Sequence, residues 1–145
     1  MLAFRTAVLF SMFVASTAIT CAADFPSAPV NLKDAEAQGL HRMSTTELKD
    51  FLPGKMDTKG VKGKHKRIFK ADGSAHRTGF GDQESTGTWR FDEKNNAYCN
   101  AFKEKKGIQE NCFAVFRAPD GSYYFDYEID TGFYAHAWHR ATKEE

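Results

Sequence analysis

The sequence predicts a mainly β domain, an antiparallel meander of seven or eight strands rolled into a barrel and preceded by one short helix. Three observations support this fold class. Asp-Gly pairs and other turn-forming runs recur at the spacing of short strands. The runs between them are rich in aromatic and β-branched residues, which strands favour. One segment near residue 45 carries the start and stop signals of a helix.

The N-terminus predicts export. Arg5 is the only charged side chain before Asp24, and an apolar run between them ends in the small residues 21–23. A short positive region, a short apolar stretch and a small-x-small site are typical of a secretory signal peptide. We therefore expect residues 1–23 to be a signal peptide and the protein to be periplasmic or secreted. The alternative is a lipoprotein anchored through Cys21, although the preceding residues fit a lipobox poorly.

The mature chain is predicted to be electrically neutral. The 145 residues include 20 Lys and Arg against 19 Asp and Glu, and the expected signal peptide removes one Arg, which leaves 19 against 19. A neutral domain offers no overall attraction for nucleic acid or for an anionic membrane. No stretch of the mature chain approaches the roughly 20 apolar residues of a membrane span. The sequence therefore predicts neither a nucleic-acid partner nor a transmembrane span.

The first element of the mature chain is predicted to be a helix over residues 45–52. Residues 24–43 contain two prolines and no clean period, so we expect an extended lead-in. Ser44 is a good N-cap, and Glu47 stands three residues later to complete a capping box. A Pro-Gly pair ends the helix. Residues 44–145 are then one β-barrel-like domain with a leading helix.

Seven strand-like runs follow the helix: KHKRIFK, AHRTGF, TGTWRFD, AYCNAF, NCFAVFR, YYFDYEI and FYAHAWHR. Residues 54–61 supply an eighth. Alternation assigns the faces of each strand, because successive side chains point to opposite sides. Tyr123, Phe125 and Tyr127 share an apolar face, whereas Asp126 and Glu128 share the other. We expect the carboxylate face to be at least partly in water.

Two cysteines remain after the signal peptide, and their spacing predicts a disulfide. A hairpin that turns at residues 105–106 pairs residues whose numbers sum to 211, and Cys99 and Cys112 meet that sum. The two side chains then lie directly opposite each other, within disulfide reach. Export supplies the oxidising compartment that such a bond requires. No C-x-x-C motif is present to favour a redox role.

Residues 54–70 form a strongly basic run with two interpretations. Lys62, Lys64, Lys66 and Arg67 are candidate contacts for an anion or an acidic partner, on a hairpin spanning residues 59–70. The alternative is a solvated edge strand that lysines protect from pairing with another chain. No aromatic residue is interleaved before the end of the run, which argues against nucleic-acid binding.

Two pairs of residues are candidates for metal binding or catalysis. His136 and His139 are three residues apart and therefore point to opposite faces of a strand, so they do not form a pair of metal ligands. Asp126 and Glu128 lie about 6–7 Å apart along a strand, a spacing that any solvent-facing strand offers. No nucleophile elbow, phosphate loop or zinc motif occurs. The sequence predicts no metal, no cofactor and no catalytic group.

Gly87-Thr88-Trp89, Cys99 and Cys112 carry a resemblance to known proteins. The stretch from residue 44 to 140 resembles small exported bacterial proteins of unassigned function, with a G-x-W strand and cysteines in the next two strands. The G-x-W motif with Arg140 is also similar to lipocalin-like barrels, although in lipocalins it lies on the first strand. The resemblance implies a lipocalin-like or related barrel and no activity.

Three functions follow as hypotheses. The first is a non-catalytic exported domain that binds a small apolar ligand inside the barrel. Its candidate contacts are Trp89, Phe91, Tyr127, Tyr134, His136 and Trp138. The second is an interaction or inhibitor module that contacts an envelope protein through the basic hairpin 59–70. The third, ranked last, is an enzyme that uses Asp126, Glu128 and His136.

Overall fold

A computed structural model describes residues 27–60, 63–80, 83–104, 107–139 and 142–143. The expected signal peptide and Cys21 lie outside these residues, as does Lys62. Within the described chain, no helix has the length and apolar character needed to cross a bilayer.

The described residues contain two short α-helices and ten strands. The helices are α1 (Leu32–Ala37) and α2 (Thr45–Leu48). The strands are β1 (His41–Arg42), β2 (Gly54–Gly60), β3 (Gly63–Phe69), β4 (Ser74–Phe80), β5 (Gln83–Asp92), β6 (Ala97–Glu104), β7 (Gly107–Arg117), β8 (Tyr123–Glu128), β9 (Tyr134–His139) and β10 (Thr142–Lys143). A single 3₁₀ turn, Glu93–Asn95, joins β5 to β6.

Eight antiparallel strands form a closed barrel, which confirms the predicted fold class. Strands β2 to β8 each pair with the next along the chain, β8 pairs with β9, and β9 returns to pair with β2. Two short strands lie outside this circuit: β1 adds to β7, and β10 adds to β2. The end where β2, β4 and β6 finish is called the turn end below, and the opposite end, beside α2, the helix end.

The helices differ from the prediction in number and length. The capping box is confirmed, because Ser44 Oγ accepts from the Glu47 amide and Glu47 Oε2 accepts from the Ser44 amide. However, α2 ends at Leu48, four residues before the predicted end. The expected extended lead-in, residues 24–43, instead contains α1 and β1. Asn31 caps α1 by accepting from the amide of Asp34.

An apolar cluster lies inside the barrel, with most of its residues toward the helix end. Met43, Leu48 and Leu52, from the α2 segment, are almost completely buried against inward-facing barrel residues. The barrel contributes Met56, Phe69, Ala75, Trp89, Tyr98, Phe102, Phe113, Val115, Tyr124 and Trp138. The α2 segment therefore acts as a plug, because its apolar side chains complete the core of the barrel.

A second apolar cluster lies on the outside of β7, β8 and β9. The segment that carries α1 covers it: Ala35 is fully buried, and the Tyr127 hydroxyl donates to the Pro29 carbonyl at 3.1 Å. Tyr123, Phe125 and Tyr127 thus form an apolar outer face, whereas Asp126 faces the interior. The prediction that the carboxylate face is partly in water was therefore wrong for Asp126. The apolar face of β8 points outward, where α1 covers it, so the carboxylate face points into the barrel.

The disulfide between Cys99 and Cys112 is confirmed. β6 and β7 pair so that these residues are direct partners, and Glu104 pairs with Gly107 on either side of the turn. The bond joins the two strands of the longest hairpin in the described chain.

Candidate functional site

A buried ion pair lies inside the barrel. Arg67 on β3 and Asp126 on β8 are separated by two other strands, yet Arg67 Nη2 donates to Asp126 Oδ2 at 2.8 Å. Arg67 exposes 1% of its surface and Asp126 none. An ion pair withdrawn from water is tolerated only when further hydrogen bonds satisfy both partners.

Those further hydrogen bonds come from three more strands. Tyr98 accepts from Arg67 Nη1 at 2.7 Å and donates to Asp126 Oδ2 at 2.6 Å. Trp138 Nε1 donates to Asp126 Oδ1 at 2.6 Å, and Thr58 Oγ1 accepts from Arg67 Nε at 3.3 Å. These five residues are called the charged centre. Both Asp126 oxygens accept hydrogen bonds from protein donors, so the buried carboxylate is satisfied without water.

The charged centre sets the ionisation of its members. Burial raises the pKa of the Asp126 carboxyl, but the Arg67 guanidinium and the hydrogen bonds around it outweigh burial and bring the pKa to about 2. Burial lowers the pKa of Arg67, and Tyr98 and Asp126 more than reverse that effect. Burial raises the pKa of the Tyr98 hydroxyl well above its usual value. Asp126 is therefore a carboxylate and Tyr98 a neutral phenol at neutral pH.

Two histidines lie beside the charged centre toward the turn end. His136 Nδ1 stands 3.6 Å from Asp126 Oδ2, and the His65 and His136 rings meet edge to face at 5.5 Å. Burial, followed by the Arg67 charge, lowers the pKa of His65 to about 3 and also lowers that of His136. Gly60 makes room for the His136 ring, since a Cβ there would come within 2.9 Å of it.

The six candidate ligand contacts do not surround one space. Trp89 and Phe91 lie toward the helix end, where Trp89 stacks on Phe69 and donates from Nε1 to the Lys70 carbonyl at 2.7 Å. Trp138 is fully buried in the charged centre, and His136 lies beyond it.

Tyr127 and Tyr134 lie on the other side of the barrel wall, in the cluster that α1 covers. Simple strand alternation would put Tyr134 on the same face as His136 and Trp138, because the three residues are two apart. A bulge in β9 changes this, because Asp126 pairs with His136 but the next residue, Tyr127, pairs with Tyr134. One extra residue in a strand reverses the alternation that follows from sequence.

Arg67 also departs from its predicted place. It was grouped with Lys62, Lys64 and Lys66 as a contact for an anion or partner, but its guanidinium lies inside the barrel. Lys64 and Lys66 point outward and are exposed, as predicted. The missed residues are Tyr98 and Thr58, which hold the arginine inside. No local pattern marks them, because their partners are 31 and 9 residues away.

The outer surface of β2 and β3 is strongly basic. Its alternate, exposed positions carry four lysines and one carboxylate: Lys55, Asp57 and Lys59 on β2, and Lys64 and Lys66 on β3. This set of five residues is called the basic face. Lys59 is the direct cross-strand partner of Lys64, and Asp57 that of Lys66. Like charges directly opposite on a sheet are destabilising.

A groove of about 450 Å³ lies beside β3 and reaches part of the basic face. Lys64, Lys66 and Asp57 line it, together with Thr78 and Gly79 of β4 and His139 of β9. Gly79 has a left-handed φ of +102° and lies so close to β3 that a Cβ would come within 3.0 Å of His65 Cα. Two of the basic-face lysines and its one carboxylate therefore border the same groove.

Potential metal ligands converge at one place in the described residues. Asp92, Cys99 and Cys112 bring one ligand atom each within 4.8 Å of one another. The two sulfurs are bonded to each other, so neither is a thiolate that would bind a metal.

Comparisons with known proteins add no relative. No protein-family model matches the chain, and neither the curated proteins nor the solved structures give a match.

Proposed function

We propose that this protein is an exported, non-catalytic interaction module that binds an acidic partner through its basic face. The observation that carries the proposal is the concentration of four outward lysines against one carboxylate on two adjacent strands. A partner that supplies carboxylates would complement this concentration of positive charge.

The charged centre argues against the first sequence hypothesis, a small apolar ligand inside the barrel. The Arg67 guanidinium and the side chains of Tyr98 and Trp138 lie inside the barrel, and an apolar ligand placed among them would have to displace them. Displacing them would leave a buried carboxylate without its donors, which costs several kcal/mol. The outer surface is therefore the better-supported binding region.

The test uses immobilised poly-glutamate as an acidic probe. The basic-face variant replaces Lys55, Lys59, Lys64 and Lys66 with Gln. A control variant removes the same charge from exposed lysines elsewhere: Lys33, Lys70, Lys94 and Lys103. We expect the basic-face variant to bind at least about tenfold more weakly than wild type at low salt, and the control within about twofold of wild type. Equal weakening of both variants would show that only net charge matters and would overturn the proposal.

A further inference from the structure

The spacing of charges along β3 bears on the shape of the acidic partner. Lys64 and Lys66 are two residues apart on one strand, so their outward side chains repeat at about 6–7 Å. In an extended peptide, every second side chain points to the same side with the same repeat. A chain with acidic residues at alternate positions therefore matches β3 step for step.

Within the proposed function, we infer that the groove over β3 binds an extended acidic segment of a partner protein, in which carboxylates alternate with other residues. The carboxylates would face the groove and meet the amino groups of the lysines at its rim. The intervening side chains would point to solvent. Thr78 and Gly79 of β4 line the same groove beside β3 and add no charge to it.

The cross-strand register predicts that the two ends of the groove contribute unequally. At one end the residue directly opposite Lys64 is another lysine, Lys59. At the other end Asp57 stands opposite Lys66 and offsets part of its charge. Within the described residues, no carboxylate oxygen lies within 4.0 Å of the Lys64 or Lys66 amino nitrogen.

An α-helical segment is the main rival. Carboxylates on one face of a helix lie four residues apart and are separated by about 6 Å along the axis. That separation is close to the distance between Lys64 and Lys66, so these two lysines by themselves fit a helix as well. On β2 the middle position of the face is Asp57, so the two lysines of that strand, Lys55 and Lys59, are four residues apart. A peptide with glutamates four residues apart therefore represents this rival in the experiment.

The experiment compares three labelled peptides of the same composition, each with three glutamates and six serines. In the first the glutamates alternate with serine, in the second they are contiguous, and in the third they are four residues apart. We expect wild-type protein to bind the alternating peptide about fivefold or more tightly than the other two. K64Q should remove most of this preference, K66Q less of it, and D57N should strengthen binding. K103Q, outside the basic face, should leave it unchanged.

Each other outcome has a defined meaning. Equal affinity for the three peptides, or tightest binding of the contiguous or four-residue peptide, would overturn the inference. So would tighter binding of an oligouronate of equal charge, which would indicate an acidic glycan as the ligand. If none of the peptides binds while poly-glutamate does, the inference fails and the proposed function stands. If poly-glutamate does not bind either, both fail.

Discussion

Arg67 and Asp126 face each other across the inside of the barrel, from strands that are not neighbours, with Arg67 Nη2 2.8 Å from Asp126 Oδ2. Tyr98 and Trp138 complete the shell around the carboxylate. The interior thus combines an apolar plug at the helix end with an ionic middle. Substitution of Arg67 or Asp126 therefore measures what the buried ion pair contributes to the free energy of unfolding.

The first prediction concerns the removal of one partner of that pair. D126N leaves the Arg67 charge buried without a counter-charge, and we expect the free energy of unfolding to fall by about 3–5 kcal/mol in urea denaturation. The double variant R67M/D126L should be less destabilised than the sum of R67M and D126L, with a coupling free energy of about 1–3 kcal/mol. Strict additivity of the two single changes would contradict the assigned contact.

The second prediction concerns acid. His65 and His136 have lowered pKa values in the folded protein, so the unfolded chain binds their protons first, near its ordinary histidine pKa of about 6.5. The folded protein keeps both histidines neutral, which adds to the free energy of unfolding above that pH. This contribution is lost as the pH falls toward about 3, the pKa of His65 in the folded protein. Asp126 adds to the loss below about pH 4, because its folded pKa is about 2.

Chemical denaturation at several pH values between 7 and 4 tests this dependence. We expect the free energy of unfolding to decrease steadily over that range for wild type. H65Q and H136Q should each flatten the curve between pH 6.5 and 4.5, whatever their effect on stability at pH 7. An unchanged slope in both variants would exclude these residues as its source.

The third prediction concerns the disulfide. Cys99 and Cys112 are 13 residues apart and close a short loop, for which the entropy model gives about 3 kcal/mol of stabilisation. Reduction of wild type should therefore lower the unfolding midpoint, and the C99A/C112A variant should match the reduced protein whether or not reductant is added. A midpoint that does not respond to reductant in wild type would refute the prediction.

The fourth prediction concerns a close approach of two strands. Gly87 pairs with Phe102, and a Cβ at this glycine would overlap the Ala101 carbonyl oxygen. Its φ is not in the left-handed region, so the constraint is space alone. We expect G87A to cost about 3 kcal/mol or more in thermal or urea unfolding, because the neighbouring backbone must shift. T88A, at the exposed next position, is the matched control and should change stability by less than about 1 kcal/mol.

The local features of the fold were predictable from sequence because short-range rules determine them. The Ser44 capping box and the pairing of Cys99 with Cys112 depend on residues three apart and on the symmetry of one hairpin. The α1 helix was missed, although Asn31 followed three residues later by Asp34 is itself a cap signal. Its six residues are too few to show a clear helical period.

Short-range rules did not predict which face of each strand points into the barrel. Alternation correctly separates Asp126 from its neighbours on β8, but polarity then suggests that the carboxylate faces water. The deciding contacts are distant in sequence: Arg67 lies 59 residues from Asp126, and the Pro29 carbonyl that receives the Tyr127 hydrogen bond lies 98 residues away. A single sequence carries no signal for either contact.

The charged centre has a consequence for the closure of the barrel. Arg67 on β3 and Asp126 on β8 lie on either side of the junction where β9 pairs with β2. In an open sheet that ran from β2 to β9, four strands, β4 to β7, would separate them. Closure reduces that separation to two strands, so the ion pair links the two ends of the sheet and forms only when those ends meet.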